Sequence, residues 1–172
     1  MSKKAVILCV DDENMVLVSL RQQLKRKFER KYTLETAESG EEALEIVEEL
    51  SERNIDIPVV LSDHIMPGMK GDELLRRIHE LSPRTLKILL TGQANADAVG
   101  YVVNYANLYR YISKPWDQTD LNLTVAEAIR SYFQDKELEE QYEILHEMNL
   151  ELQELNTCLL YTSDAADDLL QV

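Results

Sequence analysis

The sequence predicts an α/β fold, a doubly wound parallel sheet followed by an extended C-terminal helix. Five short runs rich in apolar residues lie between positions 5 and 112, and several of them are nearly continuous, which is typical of parallel strands buried on both faces. Segments with helical periodicity separate successive runs. Residues 117–156 contain neither Gly nor Pro. Strands that alternate with helices in this way build a parallel sheet covered on both faces.

The predicted elements follow one another in a regular order. Strands are predicted at residues 5–10, 32–37, 57–61, 86–90 and 108–112, with helices at 14–28, 40–50, 71–81 and 94–105 and a last helix from about Asp117. The second helix begins with a capping box, because Glu42 follows the N-cap Ser39 by three residues. Five such units favour a flavodoxin-like (βα)5 sheet in the order 2-1-3-4-5, with ligands at the carboxyl ends of the strands.

The net charge of −14 is concentrated in the C-terminal part of the chain. Residues 1–116 hold 16 Lys and Arg against 18 Asp and Glu, whereas residues 117–157 hold 2 against 11, and the last fifteen residues add three acids. An acidic helix and tail repel phosphates, so we expect no direct binding to nucleic acid.

Cysteine usage and hydropathy point to a cytoplasmic protein that binds no membrane. The two cysteines, Cys9 and Cys158, are far apart, and Cys9 lies in an apolar strand, where a buried reduced thiol is expected. No window has the apolar length of a membrane span, and the N-terminus has no signal-peptide pattern.

Chemically useful side chains follow four of the five predicted strands. They are Asp11 and Asp12 after the first strand, Asp63 after the third, Thr91 after the fourth and Lys114 after the fifth. In the order 2-1-3-4-5 these four strands are neighbours, so the side chains are expected to converge. Three carboxylates repel one another unless a cation joins them, and oxygen ligands suit Mg²⁺. With a lysine and a hydroxyl beside them, the pattern predicts an acceptor of phosphoryl groups.

Each of these residues also has a purely structural explanation. Asp12 could be a helix N-cap, Thr91 a local hydrogen-bonding residue, and Lys114, which precedes a proline, an exposed side chain. His64, next to Asp63, is expected to be a surface loop residue and not a ligand. The prediction of a phosphoryl site therefore depends on the combination of residues.

Four motifs surround these strand ends: ILCVDDE (7–13), LSDHIMPGMKG (61–71), ILLTGQA (88–94) and YRYISKPW (109–116). Through them, residues 1–134 resemble the receiver domain of two-component response regulators. The resemblance implies that Asp63 is the phosphoacceptor. It also implies that Asp11, Asp12, Asp63 and the backbone carbonyl of Ile65 hold Mg²⁺.

The resemblance further implies how such a domain would switch. Thr91 and Lys114 would contact the phosphoryl oxygens, Tyr111 would change position with Thr91, and the Lys114–Pro115 peptide would be cis. The donor would be a sensor histidine kinase or a histidine phosphotransfer protein. Phosphorylation would repack the face made by the fourth helix, the fifth strand and the last helix. The chain would then be a signalling switch with self-directed phosphoryl transfer and autodephosphorylation, not a metabolic enzyme.

A coiled-coil pattern follows the predicted receiver domain. Its seam alternates spacings of 4 and 3 residues and consists of Leu138, Tyr142, Leu145, Asn149, Leu152 and Asn156. We interpret residues 135–157 as a coiled-coil linker that forms a homodimer and leads to an output domain beyond this sequence. A solvated acidic helix is the alternative. Residues 158–172 resemble a translated sequencing adapter, and we interpret them as an adapter-derived tail.

Two other functions remain open at this point. The chain could be an unphosphorylated dimerisation module with a receiver fold. It could also be an aspartyl-nucleophile phosphatase, which would carry Asp-x-Asp at the end of its first strand, whereas this chain has adjacent Asp11 and Asp12.

Overall fold

The structure, a computed structural model, describes residues 4–92, 100 and 103–170, with side chains described up to residue 160. It contains two compact units, Met1–Phe133 and Gln134–Val172. The first unit contains the sheet and the candidate site, and the second consists of the distal part of the last helix.

A five-stranded parallel sheet forms the centre of the first unit. Its strands are β1 (Ala5–Val10), β2 (Tyr32–Ala37), β3 (Val59–Asp63), β4 (Leu86–Thr91) and β5 (Leu108–Ser113). They are ordered β2-β1-β3-β4-β5, and every pair is parallel. The predicted flavodoxin-like fold class is therefore confirmed.

The third strand begins two residues later than the sequence pattern predicts. Pro58 has no N–H to donate to the ladder, although its carbonyl accepts a hydrogen bond from the Leu86 N–H at 2.9 Å. Regular pairing starts at Val59 and extends to Asp63, which lies opposite Leu90. The sheet thus fixes the backbone of Asp63 directly.

Four helices complete the described elements. They are α1 (Asn14–Phe28), α2 (Gly40–Glu52), α3 (Gly71–Leu81) and the C-terminal helix (Gln118–Leu170). The C-terminal helix continues past residue 156 because neither Gly nor Pro interrupts it. The helix predicted at 94–105 lies largely outside the described residues, although Gly100 and residues 103–106 are helical.

The start of α2 uses the predicted capping residues with one difference. The Ser39 side chain accepts a hydrogen bond from the Glu42 N–H at 3.1 Å. The Glu42 carboxylate reaches back to the N–H of Glu38 at 2.9 Å, one residue before the N-cap. The carboxylate therefore caps the turn that enters α2.

The sheet separates two apolar layers. Side chains of β1 alternate between them: Val6, Leu8 and Val10 pack on the side of α2 and α3, whereas Ile7 and Cys9 face α1 and the C-terminal helix. Burial raises the pKa of the Cys9 thiol to about 12, so this cysteine is an unreactive core residue. Among the described helices, none is long and apolar enough to cross a bilayer.

Candidate functional site

Three charged side chains meet at the carboxyl edge of the sheet. Asp11 follows β1, Asp63 ends β3 and Lys114 follows β5. The Lys114 Nζ donates a hydrogen bond to Asp11 Oδ2 at 2.7 Å and lies 3.1 Å from Asp63 Oδ1. Asp11 is fully buried, and the Lys114 side chain is 21% exposed. The lysine thus bridges two of the predicted carboxylates.

Both carboxylate oxygens of Asp11 have partners. Its Oδ1 accepts from the N–H of Glu13 at 2.9 Å, and its Oδ2 accepts from Lys114. The backbone N–H of Asp11 donates to the Ala37 carbonyl at 3.2 Å, which continues the β1–β2 ladder. The N-cap position of α1 is Glu13, so the structural explanation of Asp12 as an N-cap is wrong.

The backbone around Asp63 is held by the turn that leads to α3. The N–H of His64 donates to Asp63 Oδ1 at 2.9 Å and to the Leu90 carbonyl at 3.1 Å. The Gly71 N–H donates to the His64 carbonyl at 2.8 Å. A Cβ on Gly71 would overlap the backbone carbonyl of Asp63. Only glycine allows α3 to begin this close to the end of β3.

His64 differs from its sequence-based prediction. It was expected to be a surface loop residue, but it is only 7% exposed, and its Nε2 lies 4.0 Å from Asp72 Oδ2. At Gly71 the chain passes close to His64 again, and this close approach buries the imidazole. The spacing of residues in the sequence does not indicate that His64 is buried.

An acidic cluster lies beside Lys114. Asp11, Asp12 and Asp63 each offer a carboxylate oxygen, and these oxygens all lie within 4.8 Å of one another. Asp12 is exposed, whereas the other two are buried. A set of hard oxygen donors fits a divalent cation such as Mg²⁺. The residues present are therefore chemically suited to the ion that the sequence predicts.

Burial and the neighbouring charges together determine the pKa values of Asp63 and Lys114. Burial raises the pKa of Asp63 above its ordinary value, the negative charge of Asp11 adds to this, and the hydrogen bond from Lys114 opposes it. Burial alone would lower the pKa of Lys114, but its hydrogen bonds to Asp11 and Asp63 and their charges outweigh it, so that pKa is raised. Lys114 therefore stays positively charged at neutral pH.

Thr91 and Lys114 are joined through their backbones. Thr91 is the buried last residue of β4 and lies opposite Ser113. Its carbonyl accepts from the Lys114 N–H at 2.9 Å, and the Lys114–Pro115 peptide is cis. The ends of β4 and β5 are thereby fixed to each other.

Tyr111 lies apart from the charged cluster, on the exposed side of β5. Its side chain is 45% exposed and borders a surface cavity of about 700 Å³ that Arg110, Trp116 and Asp120 also line. The Arg110 guanidinium donates to Thr124 Oγ1 at 3.0 Å and lies 3.8 Å from Asp120. This face combines an exposed aromatic ring with a half-exposed ion pair.

A further contact connects the loop after β5 with α1. The indole N–H of Trp116 donates to Gln23 Oε1 at 2.8 Å. Trp116 lies two residues after Lys114, so this hydrogen bond joins the site loop to α1. The two partners are 93 residues apart, and no sequence pattern could have predicted that they meet.

The fold and this site define a doubly wound α/β protein with a buried acidic cluster and a bridging lysine at the strand ends. The family model for the response regulator receiver domain matches residues 7–126, which is more than half of the chain. The chain belongs to the response regulator receiver family.

Individual relatives agree with this assignment. The hydrogenase transcriptional regulatory protein HoxA of Cupriavidus necator is 32% identical over 129 residues, which cover 75% of this chain and 25% of that protein. The chain thus spans about a quarter of that relative's length.

Solved structures resemble the same part of the chain. The signal receiver domain of an HD domain-containing protein from Pseudomonas fluorescens Pf-5 is 32% identical, with a TM-score of 0.68, over 77% of this chain and 99% of that one. A structure named adenylate cyclase from Rhodopirellula baltica is 28% identical, with a TM-score of 0.71, over 82% of this chain and 98% of that one. The resemblance covers most of this chain in both cases.

Proposed function

We propose that this chain accepts a phosphoryl group on Asp63 from a phosphohistidine of a sensor histidine kinase or a histidine phosphotransfer protein. The observation that carries the proposal is the position of Lys114, whose ammonium contacts both Asp11 and Asp63. A fixed cation beside a buried carboxylate is suited to stabilise the charge of an arriving phosphoryl group. Family membership supports the same chemistry.

The Asp63 carboxylate is the nucleophile. One of its oxygens forms a bond to phosphorus while the bond between phosphorus and the imidazole nitrogen of the donor breaks. Lys114 compensates the charge of the phosphoryl oxygens, and the Thr91 hydroxyl donates a hydrogen bond to one of them. The Lys114 charge also opposes the rise that burial causes in the Asp63 pKa, which favours the ionised nucleophile.

Mg²⁺ is the proposed cofactor. Asp11, Asp12, Asp63 and the backbone carbonyl of Ile65 would hold it, and it would supply positive charge for phosphoryl oxygens. The mutual proximity of the three carboxylates supports this assignment. Lys114 then supplies the charge that is fixed in the chain itself.

We propose that phosphorylation acts through Thr91 and Tyr111. Movement of the Thr91 hydroxyl toward the phosphoryl group would leave space for the Tyr111 ring and repack the face of residues 94–105, β5 and the C-terminal helix. The exposed position of Tyr111 beside the 700 Å³ cavity supports such a change. Self-directed transfer and autodephosphorylation make the chain a switch, not a metabolic enzyme.

We propose that the C-terminal helix transmits the phosphorylation signal to an output domain. We propose that residues 1–134 act as the receiver domain and that residues 135–157 form a coiled-coil linker to an output domain. We keep our interpretation of residues 158–172 as an adapter-derived tail. Leu138, Tyr142 and Leu145 in the seam are 63%, 71% and 59% exposed. This exposure supports pairing with a second copy.

Mass spectrometry tests the phosphoacceptor assignment. Full-length protein is incubated with Mg²⁺ and acetyl phosphate, and its intact mass is measured before and after treatment with base. We expect one added phosphoryl group that base removes, because acyl phosphates hydrolyse readily. Chelation of Mg²⁺ with EDTA should abolish the adduct.

Two isosteric variants make the test specific. Asp63→Asn removes the nucleophile and should give no adduct. Asp72→Asn changes a carboxylate in the first turn of α3 that lies outside the acidic cluster, and it should be phosphorylated like the wild type. An adduct that survives in Asp63→Asn would contradict the assignment. If no variant is modified, failure of Asp63 to bind beryllofluoride would contradict it as well.

A further inference from the structure

A groove lies between the C-terminal end of α1 and residues 126–133 of the C-terminal helix. Its volume is about 390 Å³. Phe28 and Ile129 are buried at its floor, and the rings of Tyr32 and Phe133 are partly exposed beside them. The rings of Phe28 and Tyr32 meet edge to face with centroids 6.1 Å apart. The groove therefore offers an aromatic floor that is open to solvent.

The rim of this groove is entirely basic. Lys27, Arg30, Lys31 and Arg130 line it and are exposed, and none of its lining residues is an Asp or Glu. Lys27 lies over the Phe28 ring, 5.7 Å from its centroid. Within the part of the chain that the structure describes, these four cations form no ion pair. Their positive charge is thus available to an anionic partner.

The C-terminal helix carries a surface of complementary character. Ile144, Met148 and Leu155 are 57%, 52% and 58% exposed and recur at i, i+4 and i+11, on one face of the helix. Acidic residues at Glu140, Glu147 and Glu151 flank them. We call these six residues the acidic strip. At about 100° per residue, the centre of the acidic strip lies about 130° round the helix from the centre of the proposed coiled-coil seam.

We propose that the acidic strip of one molecule binds the basic groove of a second molecule of this chain. Residues 134–157 contain eight Asp and Glu and only one Lys. Their charge complements the four cations of the groove, and the apolar side chains of the strip suit its aromatic floor. The contact joins two different surfaces, so it is heterologous and can extend an assembly beyond a dimer.

This contact is independent of phosphorylation and of the seam. The seam pairs two helices through Leu138, Tyr142, Leu145 and Leu152, whereas the groove receives a different face of the helix. A variant that breaks the seam should therefore retain association through the groove. Because the contact is electrostatic, this association should weaken as salt rises.

Sedimentation equilibrium of full-length variants tests the proposal. All proteins carry Leu145→Asp, which places charge in the seam, and circular dichroism checks that each remains folded. We expect this background to self-associate at low salt. Lys27→Glu with Arg130→Glu should weaken the association at least tenfold. The matched control Arg21→Glu with Arg26→Glu has the same change in net charge on exposed α1 residues outside the groove, and it should stay within twofold.

Reversing the charges of both surfaces distinguishes this specific contact from general electrostatic attraction. Glu147→Lys with Glu151→Lys reverses the strip and should also weaken self-association. A mixture of the reversed-groove and reversed-strip proteins should associate as tightly as the Leu145→Asp background. A monomeric background, equal loss in the control, or no recovery in the mixture would each overturn the proposal. A monomeric background would leave the coiled coil and the phosphoacceptor assignment untouched.

Discussion

The buried Lys87 of β4 contacts the half-buried His79 of α3. The Lys87 Nζ lies 2.8 Å from His79 Nδ1, and the lysine is 1% exposed at the start of β4. Burial lowers the pKa of Lys87 to about 8, and it also lowers that of His79, with a smaller contribution from the charge of Lys87. Among the described residues, Lys87 forms no ion pair with a carboxylate, and such a buried lysine costs stability while it is charged.

Replacement of this lysine should stabilise the protein. In Lys87→Met we expect the free energy of unfolding at pH 7 to rise by about 1–2 kcal/mol, because the variant removes the buried charge but leaves His79 without its partner. Urea unfolding followed by circular dichroism measures the change. Lys25→Met, at an exposed position of α1, serves as the control and should stay within about 0.5 kcal/mol. A destabilised Lys87→Met would show that the pair contributes net stability.

The same lysine predicts a pH dependence. Its pKa in the folded state, about 8, lies below the ordinary value of 10.5. Between these pH values the unfolded chain holds the additional proton, so deprotonation favours the folded state and stability rises with pH. The difference in unfolding free energy between Lys87→Met and wild type should therefore shrink from pH 8 to pH 10. A constant difference would contradict the assigned shift.

Gly71 should tolerate no side chain. In Gly71→Ala we expect a loss of about 2–3 kcal/mol in unfolding free energy, because the new Cβ would overlap the Asp63 carbonyl and separate α3 from β3. Gly92→Ala is a matched control, since a Cβ there meets no atom of the described residues within 4 Å. Urea unfolding compares the two. A Gly71→Ala protein as stable as Gly92→Ala would mean that this turn relaxes freely.

Removal of the Asp63 charge should stabilise the metal-free protein. The raised pKa of Asp63 means that folding disfavours its ionised form. The contribution of Asp63 to the unfolding free energy therefore falls as pH rises above 3.8. Asp63→Asn should accordingly raise the unfolding free energy at pH 7. Mg²⁺ should raise the melting temperature of wild type more than that of the variant, as scanning calorimetry can measure. Equal shifts would argue against Asp63 as a ligand, and Asp72→Asn should respond like wild type.

The hydrogen bond between Trp116 and Gln23 offers an optical test. Trp116 is the single tryptophan of the chain. In Gln23→Leu we expect its fluorescence emission maximum to move and the unfolding free energy to fall by about 1 kcal/mol, since the indole N–H loses its acceptor. Gln22→Leu, at an exposed neighbouring position, should change neither quantity. An unchanged emission spectrum in Gln23→Leu would contradict this contact.

Much of the fold could be predicted from local sequence. Apolar runs such as Ala5–Val10 have a length and composition that parallel strands require, and helical segments between them leave few ways to order the sheet. The same order predicted that Asp11, Asp63 and Lys114 would approach one another, because parallel strands end at one edge. Their contact distances required the structure.

Features that depend on distant backbone could not be predicted. The start of β3 at Val59 depends on pairing with Ile7 of β1 and Leu86 of β4. The burial of His64 depends on how closely Gly71 approaches the end of β3. The sequence LKILL gives no sign that Lys87 is buried against His79, because a lysine at the start of a strand is usually solvated. These features arise where two segments of the chain approach each other in the fold. The spacing of residues along the sequence does not show which segments come together or how closely.

The bridging position of Lys114 has a consequence for the abundance of the protein. A cluster of three carboxylates with no cation of its own would be destabilised whenever no ion is bound, and a larger fraction of ion-free molecules would be unfolded and degraded. Here the ammonium of Lys114 touches Asp11 and Asp63, so part of the neutralising charge is encoded in the chain. The quantity of folded protein in a cell should therefore depend only weakly on the supply of divalent cations, and few molecules should become unfolded and open to proteases when that supply falls.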